Sequence, residues 1–109
     1  MKKINPIKII GTPIKIENLE IAQYDFPDEL EWEEATKACN LLGDGWRLPS
    51  KIELNTLYQN MDKIGGAYYL YWSSTEYKTA FAWTQIFNGG KQSAMGKCME
   101  LYVRAVRTI

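Results

Sequence analysis

The chain has 109 residues, 13 basic and 13 acidic side chains, and no histidine. That length fits one domain, whose folding buries roughly two-thirds of its unfolded surface. The even charge argues against a nucleic-acid binder, which carries a basic excess, and the missing histidine removes the commonest general base and zinc ligand.

Four Trp and seven Tyr imply either bulky core packing or an aromatic recognition surface. Cys39 and Cys98 are far apart and form no C-x-x-C metal or redox pair. The leading Met1-Lys2-Lys3 resembles the start of a signal peptide, but Asn5, Pro6 and Lys8 interrupt the apolar run and no small-residue cleavage site follows. No stretch reaches transmembrane length. The expectation is a soluble protein without its own export signal, not inserted in a membrane.

In chain order, Ile7, Ile9, Ile14 and Ile16 repeat at period two around Gly11-Thr12-Pro13, which predicts two strands and a turn. Leu19 to Tyr24 predicts another strand, and Asp25 to Asp28 a loop. Trp32, Ala35, Cys39 and Leu42 form one helical stripe, so residues 32–42 are expected to be a helix stopped by Gly43. Glu33 and Glu34 occupy its first turn, where they complement the helix dipole rather than form a catalytic pair.

The next stretch, Gly45-Trp46-Arg47-Leu48-Pro49-Ser50-Lys51-Ile52-Glu53-Leu54, ends an extended segment at Pro49 and opens a helix. Ser50 and Glu53 have capping-box spacing, with Leu48 and Leu54 placed to staple across the cap. Trp46 reads as core and Arg47 as an anchor for loop carbonyls. The helix runs to about Met61 with Leu54, Leu57, Tyr58 and Met61 inward. Asp62 to Tyr69 is expected to be a loop.

From Tyr71 the chain turns to β. Tyr71 to Ser74 predicts a short strand, Ala80 to Phe87 an alternating one, and Asn88-Gly89-Gly90 a hairpin turn. Lys91 to Met95 returns, and Glu100 to Arg107 forms the last strand. In the alternation, Phe81, Trp83 and Phe87 are expected to face inward, and Ala82, Thr84 and Ile86 outward. Trp72 reads as core. Ser73 and Ser74 lack the activating base that a hydrolase nucleophile needs. Arg104 and Arg107 are expected to pair with helix carboxylates. The order of elements is that of an α+β domain.

Trp32-x-x-Ala35-x-x-x-Cys39, Gly45 to Leu54, Tyr71-Trp72-Ser73-Ser74-Thr75, Ala82-Trp83, Asn88-Gly89-Gly90 and Val103-Arg104-Ala105-Val106-Arg107 occur in that order. As a set they resemble a bacterial and phage domain family of unassigned function, typified by the C-terminal domain of collagen-like bacterial adhesins. The resemblance covers roughly residues 17–107. It implies a C-type lectin-like fold: two helices flanking a small twisted antiparallel sheet, the N- and C-terminal strands paired, with residues 1–109 as one such domain. Formylglycine-generating enzymes and the variable proteins of diversity-generating retroelements share that fold.

Three departures bear on function. Calcium-dependent lectins of this fold use Glu-Pro-Asn, Gln-Pro-Asp or Trp-Asn-Asp signatures, and none occurs here, so no metal and no cofactor are expected. Many relatives bridge the cysteine of the first helix to one near the C-terminus. The matching position here is Ala105, which implies a buried free thiol at Cys39 and a separate Cys98. Thr84, Ile86, Asn88, Ser93 and Ala94 fit the changeable positions of retroelement proteins, whereas Lys78, Lys91, Met95, Met99 and Glu100 lie outside what adenine changes in an Asn codon reach.

The resulting expectation is a non-enzymatic, calcium-independent module that binds a protein or polysaccharide on a cell surface, carried by a phage particle or a bacterial surface assembly. Its expected ligand residues are Tyr77, Thr84, Ile86, Asn88, Lys91, Ser93 and Met95, with Tyr68, Tyr69 and Tyr71 adding aromatic contact at the edge. Two alternatives come from other classes. One is a cysteine-dependent modifying enzyme related to the formylglycine-generating group. The other is a structural subunit that forms a homo-oligomer, a trimer, within a larger particle.

Overall fold

The computed structural model describes residues 5–65 and 69–109. Met1 to Ile4 and Gly66 to Tyr68 lie outside them, and with them the leading lysines, part of the expected loop and Tyr68. The described elements are α1 (Pro6–Ile10), β1 (Ile14–Ile16), β2 (Leu19–Ile21), α2 (Trp32–Asn40), α3 (Lys51–Gln59), α4 (Met61–Ile64), β3 (Leu70–Tyr77), β4 (Phe81–Ile86), β5 (Gln92–Gly96) and β6 (Val106–Thr108). They form two antiparallel sheets, β1-β2-β6 and β3-β4-β5. The first joins the two ends of the chain: Leu19 stands opposite Thr108 and Ile21 opposite Val106.

Pro6 to Ile10 corrects the expected first strand. Asn5 caps a helical turn, its Oδ1 accepting from the Ile7 N–H at 3.1 Å, and Pro6 opens the turn, where its missing N–H costs nothing. In a helix Ile7 and Ile9 point apart, so Ile9 is buried and Ile7 is exposed.

Helix α2 keeps its predicted stripe. Ala35, Cys39 and Leu42 are buried, and half-buried Trp32 donates its indole N–H to the Ser73 carbonyl at 2.9 Å. The capping box of α3 also forms. Ser50 Oγ accepts from the Glu53 N–H at 3.1 Å, and Glu53 Oε1 accepts from the Ser50 N–H at 2.9 Å. Arg47 grips the same carboxylate with two N–H groups at 2.6 and 2.9 Å and donates to Thr108 Oγ1 at 2.7 Å. It thus ties the cap to β6 and reaches one loop carbonyl, that of Leu48. Leu48 and Leu54 do not staple: they enter different cores. Helix α4 takes up the first part of the expected loop.

Strand β3 is longer than expected, and the last strand is shorter. Before β6 the chain makes only isolated bridges, Leu101 to Leu30 and Tyr102 to Tyr71. The Asn88-Gly89-Gly90 turn forms with φ +100° and +84° at its glycines. A side chain at Gly90 would run into the Tyr58 ring, so the position needs glycine for space as well as for φ.

Two hydrophobic clusters flank sheet β3-β4-β5. Trp72 and Ala82 join Ala35, Cys39 and Val103 on the α2 side. Tyr71 and Phe87 join Leu54 and Leu57 on the α3 side, along with Ile21 and Val106. Phe87 is buried as expected, but two-sided burial corrects the rest of the expected orientation of β4. Ala82 and Thr84 are fully buried, Phe81 is 43% exposed and Trp83 is half-buried. A strand covered on both faces has no polar side, so alternation does not reveal which face meets which core.

The arginines of the C-terminal motif find partners on a loop and a strand, not on the helices expected for them. Arg107 pairs with Glu20 of β2 at 2.7 Å. Buried Arg104 pairs with Asp25 at 2.6 Å and donates to the carbonyls of Ala22 and Ile64 at 3.2 and 3.0 Å. The other Asp25 oxygen accepts from the Tyr71 hydroxyl at 2.5 Å. Burial, then this hydrogen bond to a carboxylate, pushes the Tyr71 phenol well above its usual range.

Asp25→Ala leaves the Arg104 guanidinium buried without its counter-ion. We expect a loss of about 3 kcal/mol or more in denaturant unfolding. The Arg47 hydrogen bonds hold the Glu53 carboxyl below its ordinary value, outweighing its partial burial. A depressed folded value stabilises above the unfolded one and is lost on acidification. Melting temperature should therefore fall as pH drops below about 4.3, the ordinary glutamate value, and Glu53→Gln should flatten that slope.

Candidate ligand-binding face

The open part of sheet β3-β4-β5 lies beyond the first turn of α3. Tyr77 stands directly opposite Phe81, and Trp83 is the next β4 residue on that face. Their rings are not roofed by β5, because the residues opposite Phe81 and Trp83 are Gly96 and Ala94. Tyr77 and Phe81 are 42% and 43% exposed. Tyr77 meets Trp83 edge-on, with centroids 5.4 Å apart and planes at 64°. Lys51 Nζ lies 3.5 Å from the Trp83 ring centroid, and Lys78 Nζ 5.4 Å from that of Tyr77. Both are cation–π distances.

The helix start and the hairpin are locked together under this face. The Lys51 N–H donates to Thr75 Oγ1 at 2.9 Å, and its carbonyl accepts from Gln92 Nε2 at 2.9 Å. Gln92 Nε2 also reaches Gln85 Oε1 at 3.2 Å. Fully buried Gln85 donates to Asn55 Oδ1 at 2.8 Å and to the Gly90 carbonyl at 2.9 Å. A chain of satisfied amides of this kind fixes a surface before any ligand arrives.

The structure divides the expected ligand residues. Tyr77 belongs to the aromatic face. Asn88 and Lys91 are exposed at the hairpin tip. Ile86, Ser93 and Met95 are half-buried and lie on the other face of the sheet, where Met95 packs against the α2-side core. Thr84 is the clear correction: it is fully buried, and its hydroxyl donates to the Ser93 carbonyl at 2.8 Å. At the edge, Tyr71 is also buried, while Tyr69 is 49% exposed and stacks on Tyr102 at 4.2 Å. Phe81 and Trp83, expected to face inward, and Lys51, expected only as a helix residue, complete the face. The available signal was the small pair Ala94 and Gly96, spaced to leave two residues of the neighbouring strand uncovered.

Other chemistry is less well provided for. Ser73 is fully buried, and its hydroxyl donates to the Trp83 carbonyl at 2.7 Å. Cys39 and Cys98 are both free thiols, the first buried and the second exposed. Burial pushes the Cys39 thiol far above the range in which it would ionise. Among the described residues no three His, Cys, Asp or Glu side chains are grouped to hold a metal, and no helix is long and apolar enough to cross a membrane. A second, open groove of about 520 Å³, lined by Gln23, Tyr24, Asp25, Lys63 and Arg104 among others, lies over the Arg104 ion pair.

This arrangement of helices and sheets is the C-type lectin-like fold. EMS16, an antagonist of the collagen receptor integrin alpha2beta1, matches it with a TM-score of 0.68 at 12% identity, over 91% of this chain and 98% of that one. Botrocetin matches with a TM-score of 0.63 at 12% identity, again over 91% and 98%. Within that fold the family is also defined: residues 14–107 match the Lcl C-terminal domain, and the chain belongs to that family. No curated protein matches the chain in sequence.

The contrast between the thiols gives a direct check. A thiol reagent should titrate one cysteine per native chain and two after denaturation, with mass spectrometry placing the native label on Cys98.

Proposed function

We propose that the chain is a non-enzymatic, calcium-independent ligand-binding module over residues 1–109, carried by a phage particle or a bacterial surface assembly. Its ligand is a protein or polysaccharide of a cell surface. The observation that carries this reading is the half-exposed aromatic cluster of Tyr77, Phe81 and Trp83, set between Lys51 and Lys78 on a braced sheet. Aromatic side chains exposed together on a rigid scaffold offer a large contact area at little entropic cost, and Tyr and Trp dominate the energetics of recognition surfaces. The groups of this face are rings, ammonium groups and amides. Calcium prefers carboxylate and carbonyl oxygens, and the rings and ammonium groups that form the contact offer neither, which supports binding without it. The fold likeness to an integrin antagonist supports the reading at the level of scaffold use.

Labelled protein should bind a subset of cell-surface extracts or glycans equally with calcium and with a chelator. Phe81→Ala and Tyr77→Ala should each weaken that binding by about tenfold or more. Unfolding stability should stay within about 0.5 kcal/mol, because both side chains are surface groups. A blank screen in both conditions, or full binding by both variants, would refute the assignment.

A further inference from the structure

Strand β5 is the outer strand of its sheet, and its free edge has a readable hydrogen-bond pattern. The Ile86 N–H donates to the Lys91 carbonyl at 2.9 Å, and the Lys97 N–H to the Ala80 carbonyl at 2.9 Å. Both bonds belong to one antiparallel register, in which hydrogen-bonded and non-hydrogen-bonded pairs alternate. Thr84 with Ser93 and Ala82 with Met95 are then the bonded pairs. Gln85 with Gln92, Trp83 with Ala94 and Phe81 with Gly96 are the others. The backbone N–H and C=O of Gln92 and Ala94, and the N–H of Gly96, therefore point away from β4. The Gly96 carbonyl is taken by the Met99 N–H at 3.0 Å. Among the described residues no strand pairs beyond β5.

We infer that this edge takes an extended peptide strand of a protein partner, one carrying a bulky apolar side chain next to an acidic one. The inference rests on the binding face proposed above and names the partner for it. Edges not meant for pairing carry proline, an inward charge or a bulge. Gln92-Ser93-Ala94-Met95-Gly96 has neither proline nor charge and pairs with β4 in unbroken register. Its unpaired groups recur every second residue, about 7 Å apart, the repeat of another β-strand. An added strand would lie beside Ala94 and Gly96, where a single methyl and no side chain at all let a large one lean across onto Trp83 and Phe81. Lys51, at the Trp83 ring, and Lys78, at the ring of Tyr77 opposite Phe81, favour a carboxylate nearby. Lys97 is already held by Glu76 at 2.7 Å.

The probe is a capped octapeptide alternating Phe or Val with Thr and ending in Glu, with an N-methylated version unable to pair as a strand. At saturation the unmodified peptide should slow amide hydrogen exchange at Gln92, Ala94 and Gly96 at least tenfold. The N-methylated version should not. Ala94→Pro removes an outward N–H that the sheet does not use, and it should weaken peptide binding at least tenfold while the melting temperature holds. If that variant does not fold, Ala94→Lys, which covers the rings and charges the edge, should do the same. Unchanged exchange at the three amides, or full peptide binding by the folded variant, overturns the inference. A polysaccharide that binds wild type and Ala94→Pro alike but not Phe81→Ala overturns it too, yet leaves the ligand-binding function standing. A wild-type protein that binds neither peptide nor any protein or polysaccharide overturns both.

Discussion

The structure hangs on one buried arginine. Arg104, close to the C-terminal end, binds Asp25 from the loop after β2, the Ala22 and Ile64 carbonyls, and through Asp25 the Tyr71 hydroxyl at the start of β3. Two stretches far apart in sequence, residues 22–25 and 64–71, are thereby drawn to one guanidinium near residue 104. A planar head with five donors can serve several acceptors at once, which a lysine ammonium does with less geometric definition. A buried ion pair is not strongly stabilising in itself, but breaking it is costly, because the surviving charge has no substitute partner. The network therefore acts more as a constraint on which segments meet than as a source of net free energy.

What it constrains first is β3. With Tyr71 fixed, Trp72 must point to the opposite face, and the two residues anchor the two hydrophobic clusters. Helix α2 closes one side of the sheet and α3 the other. Helix α3 is itself positioned by the capping box and by the Arg47–Glu53 pair, which connects it to β6. Its first residue, Lys51, comes to rest over Trp83 and marks where coverage of the sheet stops. The aromatic face is the remainder: the part of the sheet that neither helix reaches.

Much of this frame was legible in the sequence because it is local. Ser50 and Glu53 cap a helix through contacts three residues apart, the Trp32 to Leu42 stripe follows the helical period, and Asn88-Gly89-Gly90 specifies its own turn. The pairing of the chain ends and the unbridged state of the two cysteines came from the resemblance to a family. The failures have physical causes. Ile7 and Ile9 satisfy a strand pattern, but Asn5-Pro6 is also a helix start, and the capping bond decides between them. Alternation puts Thr84 outside because it assumes one wet face, whereas β4 is packed on both. The arginine partners were missed because Asp25 and Glu20 are brought near by tertiary pairing, which no spacing encodes. Alternation puts Phe81 and Trp83 inward with Phe87, but their end of that face stays open, where the neighbouring strand offers only Ala94 and Gly96.

The separation between the two cores and the β5 edge has an evolutionary consequence. Ala94 and Gly96 belong to neither hydrophobic cluster, and Phe81 and Lys78 stand at the surface. Changes at these positions alter what the molecule presents without drawing on the packing that holds it together. Most proteins have little stability to spare for new contacts. Here the residues that carry the packing and those of the aromatic face and β5 edge are different residues, so the surface is free to be rewritten while the fold beneath it stays the same.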